Sequence, residues 1–496
     1  MASTMGMDTN MATTRPLDAA ARAVSRTRRT LVLPAPAIAL AALALGAGCV
    51  PSQQALYAPV HAQASERLGM SGPWRPGSPE ASREVAALLQ APLTADSATR
   101  IALLNSATFE AALEELGARG GALAQAATPE NPEIDVELLY PREGDESPHL
   151  EVQVVQSLTS LLAIPWRRGM ARADLAAGRW RAVAAAVDLA AEARVAFHHA
   201  LAATQILSLQ RAIAEAAGLS VDLATRLHEA GNITDLALAQ EQALLEQVRL
   251  DLADAELAAR ASRERLNATL GLWGEQTGWT ISGDVEDMPA QPADLGQLES
   301  VAVARSLALA ELRAEAESAA GAVGVARLSS WLPEIGVGVG GSREEGSWHV
   351  GPVLALSLPI FDLGQGERAT AWARLRRARL QYRARAIAVR SEARAVGQRY
   401  QAARARAERL RDVVLPLRRR ILDETVLQYN AMNASPFELL VARQQQMQAS
   451  RQYIESLRDA WIAHVAIQQV RAGGSPRGGE TPARATTDPT PQTRGH

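Results

Sequence analysis

The residue most able to take part in chemistry by itself is Cys49, the single cysteine of this 496-residue chain. It follows an apolar stretch at residues 31–48 that ends in small residues, and four arginines precede that stretch. Charged, apolar and small-residue segments in this order are typical of a secretory signal. A lone cysteine in an exported protein has no disulfide partner within its chain. Its thiol is therefore free for covalent modification.

The segment before Cys49 also resembles the bacterial lipoprotein signal, in which the cysteine becomes the lipidated first residue of the mature protein. Gly46 stands where that signal prefers leucine, and Leu45 lies one position further out. We predict that residues 1–48 form a signal peptide and that Cys49 is lipidated. The alternative is an ordinary signal peptide with an incidental cysteine.

Two other groups of residues match chemical motifs only in part. His198 and His199 are adjacent, so on a helix they point in different directions and do not converge on a metal ion. Gly336, Gly338 and Gly341 fit G-x-G-x-x-G, but they lie inside a predicted strand and a second strand follows, whereas a dinucleotide loop opens a helix. The sequence contains no H-E-x-x-H, G-x-S-x-G or phosphate loop. We expect no enzyme activity, no cofactor and no metal site.

The chain contains an internal duplication with a constant offset of 201 residues. Residues 131–134 read N-P-E-I and residues 332–335 read L-P-E-I, while G-N-I-T at 231–234 is answered by M-N-A-S at 432–435. Solenoid repeats have periods of about 20 to 50 residues. The duplication therefore indicates two related half-proteins.

Each half begins with two segments in which apolar residues alternate with polar or small ones. In the first half these are residues 134–140 and 150–155, joined by the charged tip 142–146. In the second half they are residues 335–340 and 350–358. Membrane β-barrels require such strands, and a half-buried hairpin of a soluble sheet has the same pattern. Because lipid tolerates no open sheet edge, four strands per chain would require several subunits.

Long helices follow the strands in each half. No proline occurs between Trp166 and Met288, and a first helical arm of about 65 residues would extend about 95–100 Å. That length is roughly three times a membrane core. Leucines spaced by seven after the first turn predict coiled-coil packing, and Pro416 should kink the second arm. No mature segment has 18 unbroken apolar residues, so these are not membrane helices.

These patterns predict five segments. Residues 1–48 are the signal, and residues 49–98 are an extended lipidated lead-in with one short helix at 82–90. The first repeat covers 99–290, with a helix at 94–127 on its boundary, strands at about 133–162 and a helical hairpin at 166–272. The second covers 291–471, with strands at about 334–360 and a hairpin at 364–471, and residues 472–496 form a disordered tail.

The net charge argues against nucleic acid as a partner. The whole chain carries −3, and because residues 1–48 hold five arginines and two aspartates, the remainder carries −6. Nucleic-acid binding needs a basic patch or stripe. The arginine-rich stretches of residues 372–420 are interpreted as solvated or inter-helix faces.

The order of several short segments resembles the TolC-type outer-membrane efflux channels. The segments are A-R-L at 326–328 before 332–335, G-P at 351–352, S-L-P-I-F-D at 357–362 and V-L-P-L at 414–417. The first half agrees through A-L-L-N at 102–105, N-P at 131–132 and Gly231. The resemblance covers about residues 80–470. Met432 replaces the glycine usual at the second turn, and Ser106-Ala107 replaces an asparagine-proline.

The resemblance implies a mainly α fold with membrane β-strands. Three chains would each give four strands to a shared twelve-stranded β-barrel, and their helices would form an α-helical coiled-coil barrel across the periplasm. The implied function is a passive trimeric exit duct of a tripartite efflux or type I secretion system in the outer membrane of a Gram-negative-type bacterium. Its partners would be a periplasmic adaptor and an inner-membrane pump.

The resemblance also implies two kinds of site. Adaptor docking would fall at the periplasmic tip formed by the two turns (Gly231, Asn232, Ile233, Thr234, Met432, Asn433, Ala434 and Ser435). The apolar neighbours Ile233, Leu236, Phe437 and Leu440 either contact the adaptor or only pack the helix ends. Glu438 matches an acid that narrows the pore in this family, and Asp235 and Glu241 are further aperture candidates, although a solvated outer face would also explain them.

One alternative function remains open from the sequence. A lipid-anchored periplasmic coiled-coil scaffold without a channel would use the same long helices, but it would leave the strand pairs without a purpose. The transported substrate, the class of the pump and the resting state of the pore are not encoded in any motif found here.

Overall fold

The computed structural model describes residues 50–476, except residues 71–75, 141–147, 282, 290, 332–333, 345–346, 358–359 and 361. The predicted signal peptide, Cys49, the hairpin tip 142–146 and residues 477–496 of the predicted tail lie outside the described residues. Within the described ranges, no helix combines the length and the apolar character needed to cross a membrane.

Among the described residues four helices precede the first strand, where the sequence predicted two. They are α1 (Gln53–Leu68), α2 (Pro79–Leu88), α3 (Ala95–Asn105) and α4 (Ala107–Ala127). The prediction missed α1, which contains Pro59 but buries one side through Leu56, Val60 and Ala64. The predicted single helix 94–127 is wrong, because Ser106 has extended backbone and its hydroxyl caps α4 by accepting a hydrogen bond from the Phe109 N–H at 3.4 Å.

The first helical hairpin consists of α5 (Leu158–Glu229) and α6 (Asp235–Leu270). With 72 residues, α5 is about 108 Å long. It begins at Leu158, because the Ser157 hydroxyl caps it by accepting from the Ser160 N–H at 3.2 Å. The predicted start at residue 166 is therefore wrong, and Pro165 lies inside the helix on an exposed position.

The second half continues with α7 (Leu298–Arg305) and α8 (Leu307–Trp331), and after its strands it forms α9 (Gln365–Arg409), α10 (Leu415–Asn430) and α11 (Pro436–Ala472). A π-helical turn, Leu410–Val414, joins α9 to α10. Pro416 follows it in the first turn of α10, where a missing N–H is tolerated. The irregularity predicted at Pro416 therefore takes the form of a π-turn just before the proline.

The four strands form one antiparallel sheet in chain order: β1 (Glu133–Leu139), β2 (His149–Ser157), β3 (Glu334–Glu344) and β4 (Ser347–Ser357). Within this sheet β1 pairs only with β2, and β4 pairs along its length with β3. Within the described part of the chain the outer edges of β1 and β4 therefore have no strand partner.

The register divides the sheet into an apolar and a polar face. One row of directly paired residues is Ile134, Val154, Val339 and Pro352, and the adjacent row is Asp135, Gln153, Gly340 and Gly351. The apolar face is open, since Ile134, Val339 and Leu354 of that face are 64%, 57% and 63% exposed. The polar face carries mainly acids and small residues, together with Leu139, Val155 and Val353 (the acids and small residues are Glu133, Asp135, Glu137, Glu151, Gly336, Gly338, Gly340, Ser342, Gly351 and Ala355).

The helices lie side by side in a fixed order that has two edges. Near the turns α6 packs on α5, α5 on α11, and α11 on α9 and α10; near the sheet α4 packs on α5, α5 on α8, and α8 on α9. One edge of the chain is therefore α4 and α6, and the other is α9 and α10. The same two edges continue into β1 and β4.

Pairs of helices meet end to end between the part of the chain near the turns and the part near the sheet. The Asn105 side-chain amide, at the end of α3 beside α4, donates to the main-chain oxygens of Leu270 (3.2 Å) and Gly271 (2.7 Å) at the end of α6. In the second half the Leu307 N–H donates to the Gly473 oxygen at 3.0 Å, which joins α8 to α11. The main core lies around these junctions, where α1, α3 and α7 cover the middle of the long helices.

Candidate functional site: the two helical turns

The two turns have the same backbone geometry at equivalent positions. Gly231 has φ +75° and Met432 has φ +61°. The Asn232 N–H donates to the Leu227 oxygen, and the Asn433 N–H donates to the Gln428 oxygen, both at 2.8 Å. This bond closes a helix end and requires a residue in the left-handed region. The two halves therefore share the turn geometry, with glycine at this position in the first half and methionine in the second.

The helix that follows each turn begins at a capping hydroxyl, but the two caps differ. The Thr234 hydroxyl accepts from the Ala237 N–H at 3.2 Å. At the second turn the Ser435 hydroxyl accepts from the Glu438 N–H at 3.2 Å, and the Ser435 N–H donates back to the Glu438 carboxylate at 2.7 Å. This reciprocal pair is a capping box. Hydrogen bonds from the Ser435 main chain and side chain lower the pKa of Glu438.

The other two aperture candidates also have partners within the chain. The Asp235 carboxylate lies 2.6 Å from the His228 imidazole nitrogen, and its side chain is 97% exposed. The Glu241 carboxylate accepts from the Ser220 hydroxyl at 2.8 Å across the first hairpin. All three carboxylates thus have contacts within the chain, and sequence reasoning did not foresee the capping box of Glu438. Their role in a pore aperture stays a prediction.

Some apolar side chains near the turns are partly buried, and others are exposed. Ile233 and Leu440 are partly buried, whereas Leu236 and Phe437 are 68% and 55% exposed. Met432 is almost fully exposed at 94%. A groove between α10 and α11 lies beside the second turn (Leu417, Arg420, Ile421, Glu424, Thr425, Gln428, Asn433, Ala434 and Glu438). The second turn therefore offers more open apolar surface than the first.

The substitution Met432→Gly distinguishes the effect of this residue on the stability of the turn from its effect on adaptor docking. Because a non-glycine residue in the left-handed region costs about 1 kcal/mol, Met432→Gly should raise the free energy of unfolding by ~1 kcal/mol, as measured by guanidinium unfolding in detergent. Gly231→Met is the reciprocal control and should lower it. If the Met432 side chain contacts an adaptor, Met432→Gly also reduces export in cells. Unchanged export would show that this side chain takes no part in docking.

The two histidines considered as metal ligands lie on different sides of α5. His198 is 8% exposed and stacks on Trp461 of α11, with ring centroids 5.3 Å apart. Burial, together with His199, His464 and Arg194, lowers the pKa of His198 to about 4. His199 lines a separate groove with Asp254 and Arg458. Among the described residues no group of three or more His, Cys, Asp or Glu is arranged to hold a metal ion.

Known proteins with a similar sequence or fold agree with the architecture described above. No family model matches the chain. It is 25% identical over 388 residues to the cobalt-zinc-cadmium resistance protein CzcC of Cupriavidus metallidurans, an alignment that covers 76% of this chain and 90% of CzcC. The crystal structure of the outer membrane protein VceC from Vibrio cholerae superposes with a TM-score of 0.62 at 16% identity, over 80% of this chain and 96% of VceC.

A second solved structure agrees. The CmeC outer membrane channel of Campylobacter jejuni superposes with a TM-score of 0.60 at 14% identity, over 81% of this chain and 87% of CmeC. The chain has the fold of the TolC-type outer-membrane channels. This confirms the resemblance and the fold class predicted from the duplicated segments, with long helices and four strands per chain.

The TolC-type fold gives each feature of the sheet a physical reason. An open apolar face suits contact with lipid, and a face of acids and glycines suits a water-filled interior. The matched proteins are named as a resistance protein and as outer-membrane proteins, which agrees with the expectation that the chain is not an enzyme. The sequence had identified the alternation along each strand, but it did not show that the apolar positions of all four strands share one face.

Proposed function

We propose that this chain is the outer-membrane exit duct of a tripartite efflux or type I secretion system. In this role three copies conduct substrates passively from an inner-membrane pump to the exterior. The observation that carries the proposal is the four-stranded sheet with one open apolar face and two open edges. Because lipid admits no unpaired strand edge, such a sheet requires further copies to close it.

The long helices support a duct rather than a scaffold. At about 108 Å, α5 is more than three times the thickness of a membrane core, so the helical part extends far from the sheet. A scaffold anchored only by lipid would need these helices, but it would have no use for an open apolar sheet. Lipid attached to Cys49 would add a second membrane anchor beside the strands.

The position of the turns indicates where the proposed duct would meet its partners. The turns at Gly231 and Met432 lie at the ends of the hairpins away from the sheet, so in the proposed duct they form the periplasmic tip. The exposed side chains of Leu236, Met432 and Phe437 would contact a periplasmic adaptor. In the same duct Asp235, Glu241 and Glu438 would stand near the narrow end, where carboxylates from three copies favour cations over anions.

Divalent metal ions are the first cargo to test. CzcC is named for resistance to cobalt, zinc and cadmium. In this chain the polar face of β1 and β2 carries Glu133, Asp135, Glu137 and Glu151. Three copies would place twelve carboxylates on the inner wall of the barrel, and such a wall concentrates cations. The pump, rather than the duct, would select the metal.

A pair of arginine substitutions in β4 tests the proposal directly. Leu354→Arg places a charge on the apolar face at a site that is 63% exposed, and lipid contact there should cost about 2 kcal/mol per chain. Gly351→Arg is the matched control on the polar face, where an added Cβ meets no atom within 4 Å. We expect Leu354→Arg to lose heat-modifiable trimer from the outer membrane, and Gly351→Arg to retain it.

Conductance in planar bilayers completes this test. Purified wild-type protein and the Gly351→Arg variant should open ion channels, and the added arginine should reduce cation preference because it lies on the inner wall. Equal tolerance of both arginines, together with a water-soluble monomer and no conductance, would favour the lipid-anchored scaffold instead.

A further inference from the structure

The ends of the long helices nearest the sheet carry positive charge without any acid. Three stretches adjoin the sheet, at residues 158–173 of α5, 318–331 of α8 and 368–391 of α9. Together they contain twelve arginines and no aspartate or glutamate, although the chain without its predicted signal carries −6 in total. Such an uneven distribution of charge is typical of contact with nucleic acid or with a membrane surface. A duct in the outer membrane meets only the second of these.

One face of α9 presents three of these arginines in a row. A tryptophan and the three exposed arginines follow one another at intervals of four, three and four residues (Trp372, Arg376, Arg379 and Arg383). This spacing places them on one side of a helix, and the three arginines form the arginine stripe. Among the described residues, none of the three has an ion pair or a side-chain hydrogen bond. Their charge is therefore available to a partner outside the chain.

Ion pairs further along α9 show which side of the long helices carries the stripe. Arg390 and Arg394 lie seven and eleven residues beyond Arg383, on the same face of the helix. Both pair with Glu299 of α7, at 3.9 and 3.1 Å, so the stripe lies on the side that α7 covers. In a ring of helices that side faces outward, because the short helices would fill the channel if they lay inside it.

Three exposed tryptophans stand between the arginines and the sheet. Trp166 of α5, Trp331 of α8 and Trp372 of α9 are 42%, 83% and 37% exposed. The Arg327 guanidinium lies over the Trp372 ring, with its carbon 5.3 Å from the ring centroid. On the sheet side of the tryptophans the chain exposes apolar residues (Leu162, Ile360 and Leu363). Apolar, aromatic and basic residues in this order are typical of a membrane interface.

The spacing along α9 brings the stripe within reach of lipid headgroups. With a rise of about 1.5 Å per residue, Arg376 and Arg379 lie about 6 and 10 Å beyond Trp372, and Arg383 lies about 16 Å beyond it. The Debye length is about 8 Å at physiological ionic strength, so the first two arginines contribute most. Arginine stays charged at physiological pH, and its planar fork matches the oxygens of a phosphate.

We propose that the arginine stripe binds the phosphates of anionic phospholipids in the leaflet that faces the periplasm. Trp372 sets the depth of the ring in the bilayer, and the arginines hold negatively charged lipid around the end of the helical part nearest the barrel. This surface rests on the proposed outer-membrane duct and continues the open apolar face of its sheet. It gives the acid-free helix ends a role that packing within one chain does not supply.

Lipid binding to purified full-length protein in detergent tests this surface. Phosphatidylglycerol is the anionic probe, phosphatidylcholine with the same acyl chains is the zwitterionic probe, and bound lipid is counted by native mass spectrometry over a titration. We expect the parent to prefer phosphatidylglycerol. The double variant Arg376→Gln with Arg379→Gln should bind it about thirtyfold more weakly, since each arginine near a charged headgroup contributes about a factor of five. Added salt should weaken the binding of the parent.

The control variant is Arg374→Gln with Arg377→Gln. It removes the same charge from the same turns of α9, but these two exposed arginines lie on other faces of the helix. It should therefore bind phosphatidylglycerol nearly as tightly as the parent. A heat-modifiable trimer shows that each variant is folded, and the comparison of the two lipids on the parent requires no variant.

Equal binding of the two lipids by the parent, or an equal loss in both double variants, would refute the lipid surface. A trimer with channel conductance would in that case still support the duct. Displacement of phosphatidylglycerol by an equal concentration of glycerol phosphate would also contradict the inference, because it would assign the arginines to a soluble phosphate. A protein that forms no trimer and opens no channel would overturn the duct, and the lipid surface with it.

Discussion

Replacing Gly473 with alanine should abolish stable assembly of the helical part. Gly473 has φ +91°, and an added Cβ would overlap the main-chain oxygen of Arg305. That oxygen cannot move easily, because it accepts a hydrogen bond from the Arg67 guanidinium at 2.8 Å. The carbonyl oxygen of Gly473 also accepts a hydrogen bond from the Leu307 N–H, and this bond joins α8 to α11. We expect a loss of about 3–5 kcal/mol in the free energy of unfolding.

Gly69 provides a matched control for this substitution. It has φ +66°, but an added Cβ there meets no atom within 4 Å. Gly69→Ala should therefore cost only the backbone term of about 1 kcal/mol. Thermal unfolding followed by far-ultraviolet circular dichroism in detergent compares the two. Equal, small shifts in the two variants would show that the junction adapts to the side chain, and that the close approach at Arg305 does not restrict residue 473.

Removing the imidazole of His198 should reduce the pH dependence of stability. Burial lowers the pKa of His198 from 6.5 to about 4, so between these values the unfolded chain binds more protons than the folded one. Stability from this group is fully present above pH 6.5 and is lost as the pH falls toward 4. The difference in pKa corresponds to about 3 kcal/mol.

The variant His198→Phe keeps an aromatic ring against Trp461 and removes the titrating group. Guanidinium unfolding of the variant and the parent at several pH values gives the difference that belongs to His198, since all other groups are shared. We expect the parent to lose stability more steeply than the variant below pH 6.5. Parallel curves for parent and His198→Phe would contradict the buried neutral state.

Periodic patterns made the fold predictable in outline. Alternation along the strands, long helices without proline and a 201-residue offset were enough to predict four strands and two helical hairpins. The matched structures confirm this fold class. Hydrophobic periodicity succeeds here because apolar residues alternate along the strands and recur at helical spacing along the long helices.

Local capping and tertiary contacts decided the features that the sequence did not predict. Ser106 ends one helix and caps the next, so a continuous helical pattern was divided. Pro59 and Pro165 stand inside helices, so a proline did not mark a helix end at either position. Glu438 was interpreted through a family resemblance, whereas Ser435 and Glu438 form the S-x-x-E pattern of a capping box, a signal that the sequence interpretation did not use.

The unequal turns have a consequence for stoichiometry. In the proposed trimer the duplicated halves alternate around the ring, so six turns project from it, three with the Gly231 backbone and three with the exposed Met432 side chain. A partner that offers six identical hairpins would therefore meet two classes of position with different intrinsic affinities. Its binding isotherm would show two steps, with three partners bound before the other three.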